Sequence, residues 1–143
     1  MKCWIVFALL MEGVFVLPSG PPQLSAQVCK DEEGMVAEYK KTVTDLVETV
    51  KKESLLDFQK AFHQRNVTSK LTFFGSVVDG MISCLQKRAN DPATPKADAD
   101  AAKGKIDAYN KLKDKIKQDR DALKAVQSEK EAKALIEKFA FTD

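Results

Sequence analysis

Few side chains in this chain are equipped for chemistry. His63 is the only histidine among 143 residues, and the cysteines stand at Cys3, Cys29 and Cys84. Any Ser-His-Asp or Cys-His nucleophilic arrangement would have to use His63. It directly follows Phe62 at the end of an apolar stretch, with no partner motif beside it, so a surface or capping role is expected. A metal cage fails on ligand supply, because the chain has neither a Cys-x-x-Cys nor an HExxH pattern. Asp98-Ala99-Asp100 lacks the glycine and the closing glutamate of a calcium loop. No glycine-rich phosphate loop occurs, so no nucleotide or other cofactor is indicated. The chain reads as non-enzymatic, with no catalytic residues, no metal and no cofactor.

The cysteines take their meaning from the compartment. Met1 and Lys2 precede nine uncharged residues, Cys3 to Met11, and a second apolar run, Val14 to Leu17, ends at the proline-rich stretch Pro18–Pro22. These are the regions of a secretory signal peptide, with cleavage expected after Ala26. Glu12 interrupts the run far short of the ~20 apolar residues a membrane span needs. No transmembrane segment is therefore expected after cleavage. Removal of residues 1–26 from 143 leaves 117, a secreted domain over 27–143. The leader removes Lys2 and Glu12 together, so the net charge stays at +2. It also removes Cys3. The remaining pair, Cys29 and Cys84, reads as one disulfide in an oxidising compartment. Asn66-Val67-Thr68 is a candidate glycosylation acceptor, lying in a polar stretch between two apolar segments.

The elements that must carry these residues are helical. From Asp31 to Lys52, Val36, Tyr39, Val43, Leu46, Val47 and Val50 fall on one face at helical spacing. Ser54 and Asp57 form a start signal for a short helix with Leu55, Phe58 and Phe62. The next helix, from about Ser69 to Arg88, carries Leu71, Phe74, Val78, Met81, Ile82 and Leu85 in one wide stripe. A stripe of that width predicts the most buried helix. Gly75 and Gly80 within it suggest close approach of a neighbouring helix. Thr94 and Pro95 open a long Ala/Lys/Asp/Glu-rich segment, with a seam of Tyr109, Leu112, Ile116, Leu123 and Val126. Ser128-x-x-Glu131 is a capping box that starts a last helix, which would bury Ala132, Leu135, Ile136 and Phe139. No period-two alternation is sustained. The predicted fold is all-α, a single-domain bundle of four to five amphipathic helices with one disulfide.

Two binding functions follow. The 23 basic and 21 acidic residues almost cancel, which argues against nucleic acid as a partner. The leading expectation is a secreted protein that binds an extracellular macromolecule, of the effector, salivary or immune-modulating type. The alternative is a carrier for a lipid or other small apolar ligand in the bundle interior. Its pocket would be lined by Phe58, Phe62, Phe73, Phe74 and Met81. In outline, as a small secreted helical chain, the sequence resembles insect odorant-binding proteins, although those carry more disulfides than one cysteine pair supplies. Its C-terminal part is similar in composition to apolipophorin-III-type bundles, which typically lack cysteines. Neither resemblance assigns a residue, a partner or an oligomeric state.

Overall fold

A computed structural model describes residues 29–141. The signal-peptide expectation for residues 1–26 lies outside them. Five helices follow one another: α1 Lys30–Lys52, α2 Leu55–Lys60, α3 His63–Asn90, α4 Lys96–Ala125 and α5 Glu129–Ile136. No strand occurs among the described residues, and the all-α bundle is as the periodicity requires.

α3 is the centre. It packs most extensively on α4, then on α1. Its stripe Leu71, Phe74, Val78, Met81, Ile82 and Leu85 is buried, as predicted from the sequence, and Val67 is buried as well. Val67 lies four residues before Leu71, so it continues the stripe by one turn and draws the helix start back to His63. The expected start near Ser69 is therefore six residues late, and Asn66 sits in a helical turn rather than in a connection.

α1 is an intrinsically modest helix former, with four buried valines at 36, 43, 47 and 50. Thr42, Thr44 and Thr49 turn their hydroxyls back to the carbonyls of Glu38, Lys40 and Asp45. Acids in its first turn and lysines in its last suit the helix dipole. Most of its stability must nonetheless come from packing the valine stripe on α3.

Two cross-links set the register of that pair. Cys29 and Cys84 are bonded, with Cα atoms 5.8 Å apart. At the other end Glu53 Oε2 lies 2.5 Å from His63 Nε2. α1 and α3 are therefore antiparallel, and Tyr39 lies level with the Phe74–Val77 segment.

α4 lies along one side of this pair. Lys113 pairs with Asp79 at 2.5 Å, and Lys105 with Glu33 of α1 at 3.2 Å. Ile116 and Leu123 of its seam are buried, whereas Tyr109 and Leu112 are half-buried. Asp119, at the gap in that seam, is held by Lys115 at 2.9 Å. Two of the three helix-start signals cap as expected, Ser54 Oγ accepting from Asp57 N at 3.2 Å and Ser128 Oγ from Glu131 N at 3.3 Å, whereas α4 starts at Lys96 after Pro95, without a side-chain cap bond from Thr94. α5 packs against α2, α1, α3 and α4. Beyond it Phe139 and Phe141 are buried, and the Phe141 ring meets Phe74 edge-on at 5.8 Å.

The glycines of α3 do not serve close approach. A Cβ at Gly80 would meet nothing within 4 Å, and one at Gly75 would make only an ordinary contact of 3.8 Å with Ile116. Neither has a positive φ. Gly80→Ala is therefore expected to stabilise the fold by about 0.5–1 kcal/mol, since alanine loses less backbone entropy in a helix. A urea titration checks this, and a loss of stability would mean that a partner backbone needs that space.

Candidate functional site

Cys29 and Cys84 are bonded to each other. Among the described residues, the one grouping of metal-capable donors is Cys29, Glu32 and Cys84. The disulfide engages both sulfurs, so the grouping offers no thiolate to an ion.

His63 is not a surface residue. It is 6% exposed, packed against the Phe58 ring at 5.6 Å between centroids. Its Nε2–H donates to the Glu53 carboxylate, while Nδ1 is buried with no hydrogen-bond partner. The cause is local: Phe62 adopts a left-handed conformation, φ 53°, which ends α2 and redirects the chain so that α3 begins at His63. The imidazole meets the Glu53 carboxylate and the Phe58 ring. It latches the end of α1 to the start of α3, a charge-assisted contact between elements. Glu53→Ala would leave both ring nitrogens buried without partners, at an expected cost of about 1–3 kcal/mol. Equilibrium unfolding measures it, and an unchanged midpoint would show that the latch contributes nothing.

The five residues expected to line an interior pocket separate into two groups. Phe58, Phe74 and Met81 are buried in the core, at 0%, 0% and 1% exposure. Phe62 and Phe73 are on the surface, at 62% and 59%. Phe73 and Phe74 are neighbours on one helix, about 100° apart, so they cannot face the same way. Phe62 is turned outward by its left-handed backbone, with the Arg65 guanidinium over its ring at 5.6 Å. The five do not surround a common space.

Two surface features remain. The first is the flank of the α1–α3 pair that α4 leaves open. Glu33, Ala37 and Lys40 of α1 face α4, and so do Gly75 and Asp79 of α3. Met35, Tyr39 and Leu46 project to the opposite flank of α1. Phe73, Val77 and Cys84 project to the same side from α3, with identical spacing. Met35 is 44% exposed, and Tyr39, Leu46, Val77 and Cys84 are half-buried against the core. The second feature is a groove of about 400 Å³ between α1 and α4. Its walls are Val36, Ala37, Ala108, Tyr109 and Leu112, and Glu33, Lys40 and Lys105 stand among them.

No protein family, curated protein or solved structure matches this chain. The reading of function therefore rests on these surfaces. No helix among the described residues is long and apolar enough to cross a membrane.

Asn66 is exposed on α3, and its Nδ2 donates to the Ala61 carbonyl at 3.0 Å. It lies seven residues before Phe73, about 10 Å along the same helical flank.

Proposed function

We propose that this chain is a secreted, non-enzymatic protein that binds an extracellular protein on the open flank of α1 and α3. One observation carries the reading: large apolar side chains line the outside of a bundle whose inside is full. Phe58, Leu71, Phe74, Ile116, Leu123 and Ile136 are all at or below 1% exposure, so the core of the bundle is already occupied by its own side chains. Met35 and Phe73 project outward on a flank where, among the described residues, they stay 44% and 59% exposed. Each of the two helices offers over 30 Å of length there, enough for the ~800 Å² that a stable protein partner buries on one side. Aromatic and methionine side chains are the types enriched where such partners dock.

The near-zero net charge fits a partner held by shape and apolar contact. It gives little long-range steering. A disulfide favours an oxidising compartment, which supports secretion. A glycan on Asn66 would stand at the α2 end of the same flank and restrict approach to the end nearer the disulfide. The carrier alternative loses the two features that suggested it, because the Phe set does not converge and the α3 glycines do not make room.

The test is a paired capture. The mature chain and its Phe73→Asp variant are used as baits in the fluid that contains the protein. A protein retained by the first, lost by at least tenfold from the second, and retained by Lys117→Glu on α4 is the expected result. Identical recovery by all three would sink the assignment.

A further inference from the structure

The charges bordering the open α1–α3 flank are sorted by helix. An α-helix turns about 100° per residue. Within roughly 100° of the Met35–Tyr39–Leu46 line, the charged side chains of α1 are Asp31, Glu32, Glu38 and Asp45, all acidic. The lysines of α1 all lie about 120° or more from that line. On α3 the sign is reversed. Within the same angle of the Phe73–Val77–Cys84 line its charged side chains are Arg65, Lys70, Lys87 and Arg88, all basic. Asp79, the one acid of α3, faces away and is held by Lys113. Arg65 lies over the Phe62 ring and Arg88 engages Asp98. Lys70, Lys87 and the four acids of α1 make no ion pair among the described residues.

The two rims also match in height. Cys29 lies beside Cys84 and Glu53 beside His63, so positions on the antiparallel helices can be paired. Asp45 stands level with Lys70. Asp31 and Lys87 are offset by about 7–8 Å along the axis, and each side chain leans toward the other because each leans toward its own helix N-terminus. Gly80, where a Cβ would meet nothing within 4 Å, stands close to the level of Met35.

A second copy of this surface fits it. A two-fold axis parallel to the helices lays α1 of each copy over α3 of the other, at the same levels. Acidic rim then meets basic rim twice, and Met35 of one copy falls over the side-chain gap at Gly80 of the other. A two-fold axis across the helices would instead set α1 on α1, acid against acid, which is disfavoured. The net charge of +2 gives little repulsion between copies. An isologous contact uses every side chain twice, so Met35 and Phe73, 44% and 59% exposed, furnish four anchors. Two helices of over 30 Å match the ~800 Å² that each side of a stable interface buries.

We propose that the partner seated on this flank is a second copy of the chain. The dimer is two-fold, with both α1 and both α3 forming an antiparallel four-helix core. The inference rests on the reading of the flank as a protein-binding surface and names its occupant.

The test is sedimentation velocity on protein exported to the bacterial periplasm, where the disulfide can form and Asn66 stays bare. A dimer that dissociates on dilution is expected, at least tenfold weaker for Phe73→Asp. Two charge variants separate pairing from mere stickiness: Lys70→Glu with Lys87→Glu, and Asp31→Lys with Asp45→Lys. Each alone sets like charge on like and should dimerise at least tenfold more weakly. An equimolar mixture of the two should recover the unmodified affinity as a heterodimer, because every rim again meets its opposite. Thermal melts show whether each variant is folded. Should Asp31→Lys weaken the start of α1, Asp45→Lys against Lys70→Glu serves in its place. The inference is overturned by a monomer at every concentration up to about 1 mM, the weak end of specific affinity. It is equally overturned by a dimer indifferent to Phe73→Asp, or by folded charge variants that gain nothing on mixing. A monomeric chain that still captures another protein through Phe73 would end the self-pairing and leave the role of the flank standing.

Discussion

Replacing Cys29 and Cys84 together by serine is expected to lower stability by about 4 kcal/mol. The bridge closes a loop of 55 residues, and the chain-entropy model assigns a loop of that length about that much. Against a typical total of ~5–15 kcal/mol, the reduced protein would be marginal. For a domain of this size the melting temperature should fall by roughly 15 °C. The physical weak point is the start of α1. Cys29 has a left-handed backbone and no side-chain cap bond to the helix, and Val36 is the only buried residue in the first three turns of α1. The denaturant slope should rise, because the unbridged chain expands further on unfolding. Hydrogen exchange should quicken first over Lys30–Val36. A loss below about 1 kcal/mol under non-reducing conditions would show that the bridge closes no costly loop.

The second large effect is Phe74→Ala. Phe74 has no exposure, stands at the middle of the central helix, and meets the Phe141 ring. Deleting a buried ring of that kind costs about 3–5 kcal/mol, part of it for the cavity left behind. The cavity would open against the C-terminal segment, so Phe139 and Phe141 lose their seat. Two readouts should move together: the urea midpoint, and proteolytic cleavage after α5. If the midpoint shifts by less than about 1.5 kcal/mol, the core around Phe74 collapses around the gap and is less specifically packed than the burial implies.

The helices were legible because their information is local. The stripes of α1 and α3 repeat at helical spacing, and Ser54 and Ser128 announce helix starts within four residues. The errors arise where a side chain's direction depends on something distant. Phe58 and Phe62 read as one helical face only if the helix runs through both. It stops at Lys60, and the left-handed Phe62 swings outward. His63 read as a surface residue because the groups that bury it lie in earlier elements, Phe58 one helix back and Glu53 two. Phe141 carried no periodic signal, since it follows α5 in irregular chain. The candidate surfaces were still less legible. The open flank exists because α4 lies on one side of the α1–α3 pair and not on the other. That choice depends on cross-helix contacts such as Lys113–Asp79, which spacing alone does not encode.

On our proposal, partner binding is exercised from the open α1–α3 flank of a filled bundle. Hydrogen–deuterium exchange on the protein, free and saturated with the partner that the Phe73→Asp comparison isolates, tests this most directly. Added protection is expected only in the segments around Met35–Leu46 and Phe73–Val77, with the outer face of α4 from Lys117 to Lys124 unchanged. Protection centred on α4, with the Phe73 segment exchanging as in the free protein, would contradict it.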